Sequence, residues 1–175
     1  AFDHIVVAWT ATAVLTALET ELTARWGPTR QLDGLAYAGA RGSQGTLASL
    51  GGARNSRFVS IIGAKSAPQS TWEWAATLAG VVAHYGGIDP ARPFQTLAMP
   101  GILPPAVTDR FTRAERELLL RDGISTFVVD SGGVVQLERV ITTYQTDGFG
   151  APDTSWLDLN TPLTLSYMRW SWRLR

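Results

Sequence analysis

Apolar positions along this chain follow two rhythms. Short unbroken runs, Ile5-Val-Val-Ala-Trp9 and Phe58-Val-Ser-Ile-Ile62, have the length and β-branched content of strands buried on both faces. Between them Val14, Leu15, Leu18 and Leu22 recur at helical spacing, with Thr10 or Thr12 as the cap and Gly27-Pro28 as the stop. Residues 34–39 read as a short strand, and the glycine-rich stretch 39–55 as a loop with one helical turn over residues 46–50. Ser70-Thr-Trp-Glu73 has capping-box spacing, and Trp72, Ala75, Ala76, Ala79 and Ala83 then give a small-residue helix face ending at Gly86-Gly87. Strands that alternate with helices imply a largely parallel sheet.

The second half changes character. Residues 89–105 are dense in proline and cannot be regular throughout, so they read as a crossing between two lobes. A second capping box, Thr112-Arg-Ala-Glu115, opens a helix carrying Leu118 and Leu119 and ending near Gly123. Val128 and Val129 then lead into Ser131-Gly132-Gly133, whose glycines supply the positive φ of a tight hairpin. The returning strand, Val134 to Thr143, is long and β-branched, and the hairpin's two edges need something to cover or complete them. A polar loop over residues 146–160 precedes Thr161-Pro162, a helix entry, after which Leu163, Tyr167, Trp170 and Leu174 fall on one stripe. The expected class is α/β: a partly parallel sheet flanked by helices over residues 1–104, then a smaller α+β lobe with a β-hairpin and C-terminal helix over 105–175.

Composition narrows the functional classes. Fifteen basic and fifteen acidic side chains cancel, so no global field draws the chain to nucleic acid or an anionic membrane. There is no cysteine for disulfides or thiolate metal sites, and no apolar run long enough to span a bilayer. Charged residues make up only 17 %, and seven tryptophans are many for this length, a surface suited to a large assembly. The abrupt start and finish inside patterned elements lead us to expect a fragment of a longer protein.

Candidate chemistry is thin. Only His4 and His84 could serve as a catalytic base; no Gly-x-Ser-x-Gly elbow accompanies them, and His84 suits the last turn of a helix as a dipole partner. Gly39-Ala-Arg-Gly-Ser-Gln-Gly45 lacks both the P-loop ending and dinucleotide spacing. Asp147, Asp153 and Asp158 are not spaced as an EF-hand, and Asp153 and Asp158 read as turn caps. A degenerate α/β hydrolase or nucleotide-binding domain is the alternative enzyme reading. Arg169, Arg173 and Arg175, interleaved with Trp170 and Trp172, fit a solvated helix face, a nucleic-acid stripe or recognition of an acidic protein surface.

Five sequence words in one order point elsewhere: residues 89–97, Thr112-Arg-Ala-Glu-Arg116, Asp122-Gly-Ile-Ser-Thr126, Glu138-Arg-Val-Ile-Thr-Thr-Tyr144, and Asp153-Thr-Ser-Trp-Leu-Asp158 running into Asn160-Thr-Pro-Leu. In these the chain resembles the tail sheath proteins of contractile bacteriophage tails, specifically the Mu-like branch. The resemblance implies a non-catalytic domain of subtilisin-like outline and a structural subunit that polymerises helically around a tail tube and contracts to drive it through the host envelope. It implies no cofactor, no metal, no small-molecule substrate, and as partners other copies, the tail tube protein and the baseplate, with assembly in the host bacterial cytoplasm. Arms from neighbouring subunits would add strands to the hairpin, at Thr126, Val128, Val135, Leu137, Arg139, Ile141 and Thr143. Arg169, Arg173 and Arg175 would face the tube. With those arms outside the sequence, this piece alone is expected to be monomeric.

Overall fold

The computed structural model describes residues 3–174. Strands β1 (Asp3–Val7), β2 (Gly34–Arg41), β3 (Val59–Ala64), β4 (Ile124–Val129) and β5 (Val135–Arg139) form one sheet in that order. β1 to β4 are parallel, and β5 returns antiparallel to β4. Helices α1 (Thr12–Trp26), α2 (Gln44–Gly52) and α3 (Thr71–Ile88) alternate with the first three strands, α4 (Arg113–Arg121) precedes β4, and α5 (Asn160–Arg173) closes the chain. The mixed α/β class with a mostly parallel sheet is the one expected. The hairpin adds to that sheet directly, Ile124 and Ser125 of β4 pairing with Ile61 and Ile62 of β3.

Two glycines set how closely the layers approach. A methyl group at Gly39 of β2 would meet the Thr71 carbonyl oxygen at 2.1 Å, and one at Gly51 of α2 would meet the Asp122 carbonyl oxygen at 1.9 Å. Only glycine lets α3 start against β2 and α2 lie against the end of α4. Trp74 of α3 packs on Phe127 of β4 with ring centroids 4.6 Å apart, so a single apolar core runs from Leu15 and Leu22 through Tyr37, Ile61 and Leu78 to Leu137 and Leu163.

Several local expectations are corrected. β1 is not buried on both faces: it is the sheet's outer strand, and most of its residues are partly or largely exposed. α1 is capped at Ala11 with no side-chain bond, not by Thr10 or Thr12. The stretch read as one helical turn is a nine-residue helix, started by Ser43, whose Oγ accepts the Thr46 amide at 3.3 Å. Ser70 and Glu73 bond each other at 2.6 Å instead of capping the backbone. Trp72 and Ala76 of α3 face solvent, and the buried face is Trp74, Ala75, Leu78, Ala79, Val81, Val82 and Gly86. The Thr112 box does form: its Oγ1 accepts the Glu115 amide at 3.3 Å and its own amide reaches Glu115 Oε2 at 2.7 Å. In the hairpin turn the positive φ belongs to Gly133 alone of the two glycines, at 80°.

Candidate functional site

The ribbon of β4 and β5 is partly enclosed by its own chain. β4's inner margin is paired with β3 at Ile124 and Ser125. The outer margin of β5 carries the segment 96–99: Thr96 donates its amide to the Leu137 carbonyl (2.8 Å), Leu137 to the Leu97 carbonyl (2.9 Å), and Met99 to the Val135 carbonyl (2.8 Å). Ala98 and Gln136 complete an antiparallel bridge. Within the proline-dense stretch, residues 96–99 therefore lie along the edge of β5 through one bridge, with Leu97 and Met99 buried and Ala98 outside. Prolines at 93 and 100 bracket it, which suits an edge where one side of the ladder has no partner to serve.

β5 stops at Arg139, short of the expected Thr143. The register slips there, Thr126 facing Arg139 while Phe127 faces Leu137, which leaves Glu138 as the extra residue of a bulge. Glu138 uses this displacement to take Thr126 Oγ1 (2.9 Å) and Arg116 Nε (2.7 Å). Beyond the bulge the chain crosses the start of β3. Ser60 and Ser125 hydroxyls lie 3.1 Å apart, both donate to the Ile141 carbonyl, and the Ile141 amide donates to Ser125 Oγ at 3.0 Å. Thr143 gives its amide to Val59 O (2.9 Å) and accepts the Ser56 amide at its hydroxyl (3.0 Å). On the far side residues 157–159 bond Thr142 and Val140.

On the β5 side the expected open hairpin edge is covered by this chain, while on the β3 side β4 is paired only at Ile124 and Ser125. Val135, Leu137, Ile141, Thr126 and Thr143 are core residues, Val128 is half-buried, and exposed Arg139 forms a two-pronged pair with Asp158 at 3.0 and 3.1 Å. An incoming strand on the β5 side would have to displace residues 96–99 or 157–159. Among the described residues β1 has no strand on its outer side, and β4 has none beside residues 126–129 on the β3 side.

The arginines of α5 are also engaged within the chain. Asp33, only 5 % exposed, sits 3.0 Å from Arg169 Nη1 and 3.5 Å from Arg173 Nη1. Arg169 lies over the Trp26 ring, 3.9 Å from its centroid, and donates to the Trp26 carbonyl at 3.0 Å; Arg173 donates to the Gln31 carbonyl at 2.8 Å. These two residues clamp α5 to the loop that follows α1; Arg169 is half-buried there, and Arg173 stays exposed, as the solvated-face reading has it. Arg175 lies outside the described residues. Leu163 does pack inward, against Gly86, but Tyr167, Met168, Trp170, Trp172 and Leu174 stay exposed.

Candidate chemistry resolves into structure. His4 Nδ1 is 2.8 Å from the Tyr37 hydroxyl; burial lowers the imidazole pKa, with Asp3 opposing, and raises the Tyr37 hydroxyl well above 10. His84 is exposed on α3, edge-on to Tyr85. Gly39 is closed off by α3 and Ser43 caps α2, so the glycine loop is consumed in packing. Asp147 and Asp153 accept backbone amides two residues ahead, as turn caps do, while Asp158 pairs with Arg139. Among the described residues no trio of His, Cys, Asp or Glu could hold a metal, and no helix is long and apolar enough to cross a membrane. Sequence reading missed Asp33 and the 96–99 edge segment; for the latter the signal was the two-residue alternation of Leu97 and Met99.

Comparison with known proteins places this geometry. A family model described as the phage tail sheath protein central domain matches residues 1–143. The chain is 40 % identical over 174 residues, 99 % of its length, to the Mu-like prophage FluMu tail sheath protein of Haemophilus influenzae, and spans 36 % of that protein. The sheath tail protein of Desulfitobacterium hafniense has the same fold, at a TM-score of 0.67 with 12 % identity over 97 % of this chain and 38 % of that one. A sheath tail protein of Listeria innocua is similar at 0.63, with 11 % identity over 94 % of this chain and 35 % of its own. A chain of the anti-feeding prophage baseplate reaches 0.59, with 16 % identity over 89 % of this chain and 40 % of its own.

Proposed function

We infer a mechanical role from one premise: this chain belongs to the phage tail sheath family, whose central-domain model it matches over most of its length. It is a tail sheath protein of a Mu-like phage or prophage, a structural component of the virion tail and not an enzyme. The observation that carries the finer reading is its near-complete match to part of a Mu-like prophage tail sheath protein.

In that reading the residues form the stiff body of a subunit that polymerises around a tail tube and shortens to push the tube through the host envelope. A helical sleeve arises when contacts between copies do not close into a ring. A bias of a few kcal/mol per copy is enough to throw such a lattice from one arrangement to the other, because the copies add. The body must not deform while the lattice moves. A ribbon covered along β5, a bulge tied by Glu138 and a final helix clamped by Asp33 support that requirement. Arms from neighbouring copies join the subunits, and the outer margin of β1 is open to receive an added strand. The tail tube and baseplate are the other partners, and assembly takes place in the host cytoplasm.

The test is to produce the full-length protein with its tail tube protein and image the product by electron microscopy. Tubes of sheath around the tail tube are expected. Full-length protein that stays dispersed, with bare tail tubes beside it, overturns the reading.

A further inference from the structure

Phe149 runs against the burial pattern of the body. Its ring is 99 % exposed, more than any other large apolar side chain among the described residues. It stands at the tip of a tight loop held by Asp147, whose Oδ1 accepts the Phe149 amide at 2.8 Å and the Ala151 amide at 2.9 Å. Gly150, at φ 82°, returns its amide to the Asp147 carbonyl at 3.2 Å, and Thr146 bridges Pro152. Gly148 and Gly150 flank the ring, so no neighbouring side chain would keep it from entering a cavity. A loop fixed this firmly loses little conformational freedom when its tip is buried.

The chain also carries a cavity of matching character. Between α3 and α5 lies a groove of about 440 Å3, bordered by Gly86 and Gly87 of α3, Leu163, Tyr167 and Trp170 of α5, and Leu32. That volume lies in the range of sites that bury an aromatic group and its neighbours. The clamp beside it sets two guanidiniums, Arg169 and Arg173, against the single carboxylate of Asp33, whereas the loop brings the carboxylate of Asp147. The charges are thus opposite in sign, and the solvent-exposed ring is not using its own groove.

We propose that Phe149 is a knob that seats in the α3–α5 groove of a second copy of this chain. This rests on the sheath reading and names a contact within it. Knob and groove are different surfaces, and in a helical sheath the contact repeats head-to-tail from copy to copy. Most of its strength comes from one desolvated aromatic anchor.

The test uses the full-length protein with Phe149→Ala and, separately, Gly87→Leu. A Cβ at Gly87 would meet nothing within 4 Å and Gly87 borders the groove, so leucine there should fill it. Both variants should melt as the parent does and need about tenfold or more protein to assemble, the loss expected of a removed anchor. Mixing Phe149→Cys with Gly87→Cys should give a disulfide between copies, with no competing cysteine in these residues, while Phe149→Cys alone should give none. Unchanged assembly with no mixed cross-link overturns the contact while leaving the sheath reading intact. Cross-linking of Phe149→Cys to the tail tube protein alone also overturns it, because the knob then serves another partner. Parent protein that forms no sheath removes both.

Discussion

Replacing Leu137 with alanine separates a core ribbon from a docking ribbon. Leu137 lies at the centre of β5 with 0 % of its surface exposed, and its amide and carbonyl are both tied to residues 96–97. Removing three carbons there leaves a cavity that the bonded backbone on either side cannot collapse, so the cost falls in the middle of the range for buried leucines, about 3 kcal/mol. For a chain of this length that lowers the melting temperature by roughly 6–12 °C. Val134, at the exposed mouth of the same hairpin, is the internal control: Val134→Ala should change stability by less than about 0.5 kcal/mol. Urea denaturation of the purified proteins measures both, and an unchanged m-value would show that only stability has moved. A loss below about 1 kcal/mol for Leu137→Ala would falsify the claim that this chain's own core completes the ribbon.

Three further outcomes follow from particular contacts. Ser125→Ala removes the acceptor of the buried Ile141 amide and should cost about 1–3 kcal/mol by denaturation, more than a surface serine does. Thr112→Ala deletes the α4 cap and should cost about 1 kcal/mol, with hydrogen exchange accelerated first at the amide of Glu115. The body should weaken as pH falls below about 6.5: His4 is held neutral in the fold, so the unfolded chain takes up the proton first, stability is full above that value and declines until the lowered native pKa is reached. His4→Gln should flatten this acid limb in paired denaturation curves at pH 5 and 7.

The alternation of strands and helices, the Thr112 capping box and the Gly132-Gly133 turn were legible because each depends on residues close in sequence. What escaped depends on distant neighbours. Ile5-Val-Val reads the same whether a strand is central or outermost, and only the sheet order exposes β1. The ribbon looked unfinished because its cover sits about forty residues upstream among prolines, where period-two burial spans only Leu97 to Met99. Arg169 looked solvated because its partner, Asp33, lies far upstream in the chain. Thr46 to Leu50 looked like a single turn because four glycines in residues 42–52 mask a helix that gains its stability from packing against α4.

The central claim is that these residues move as one sealed body while copies shift around them. Its most direct test is a pair of cryo-electron microscopy reconstructions of the full-length assembled sheath, one extended and one shortened. The account predicts that residues 3–174 superpose between the two within about 1 Å over Cα atoms, as preorganised partners do, with residues 96–99 still lying along β5 in both. A strand from another subunit occupying that margin in either state would contradict it.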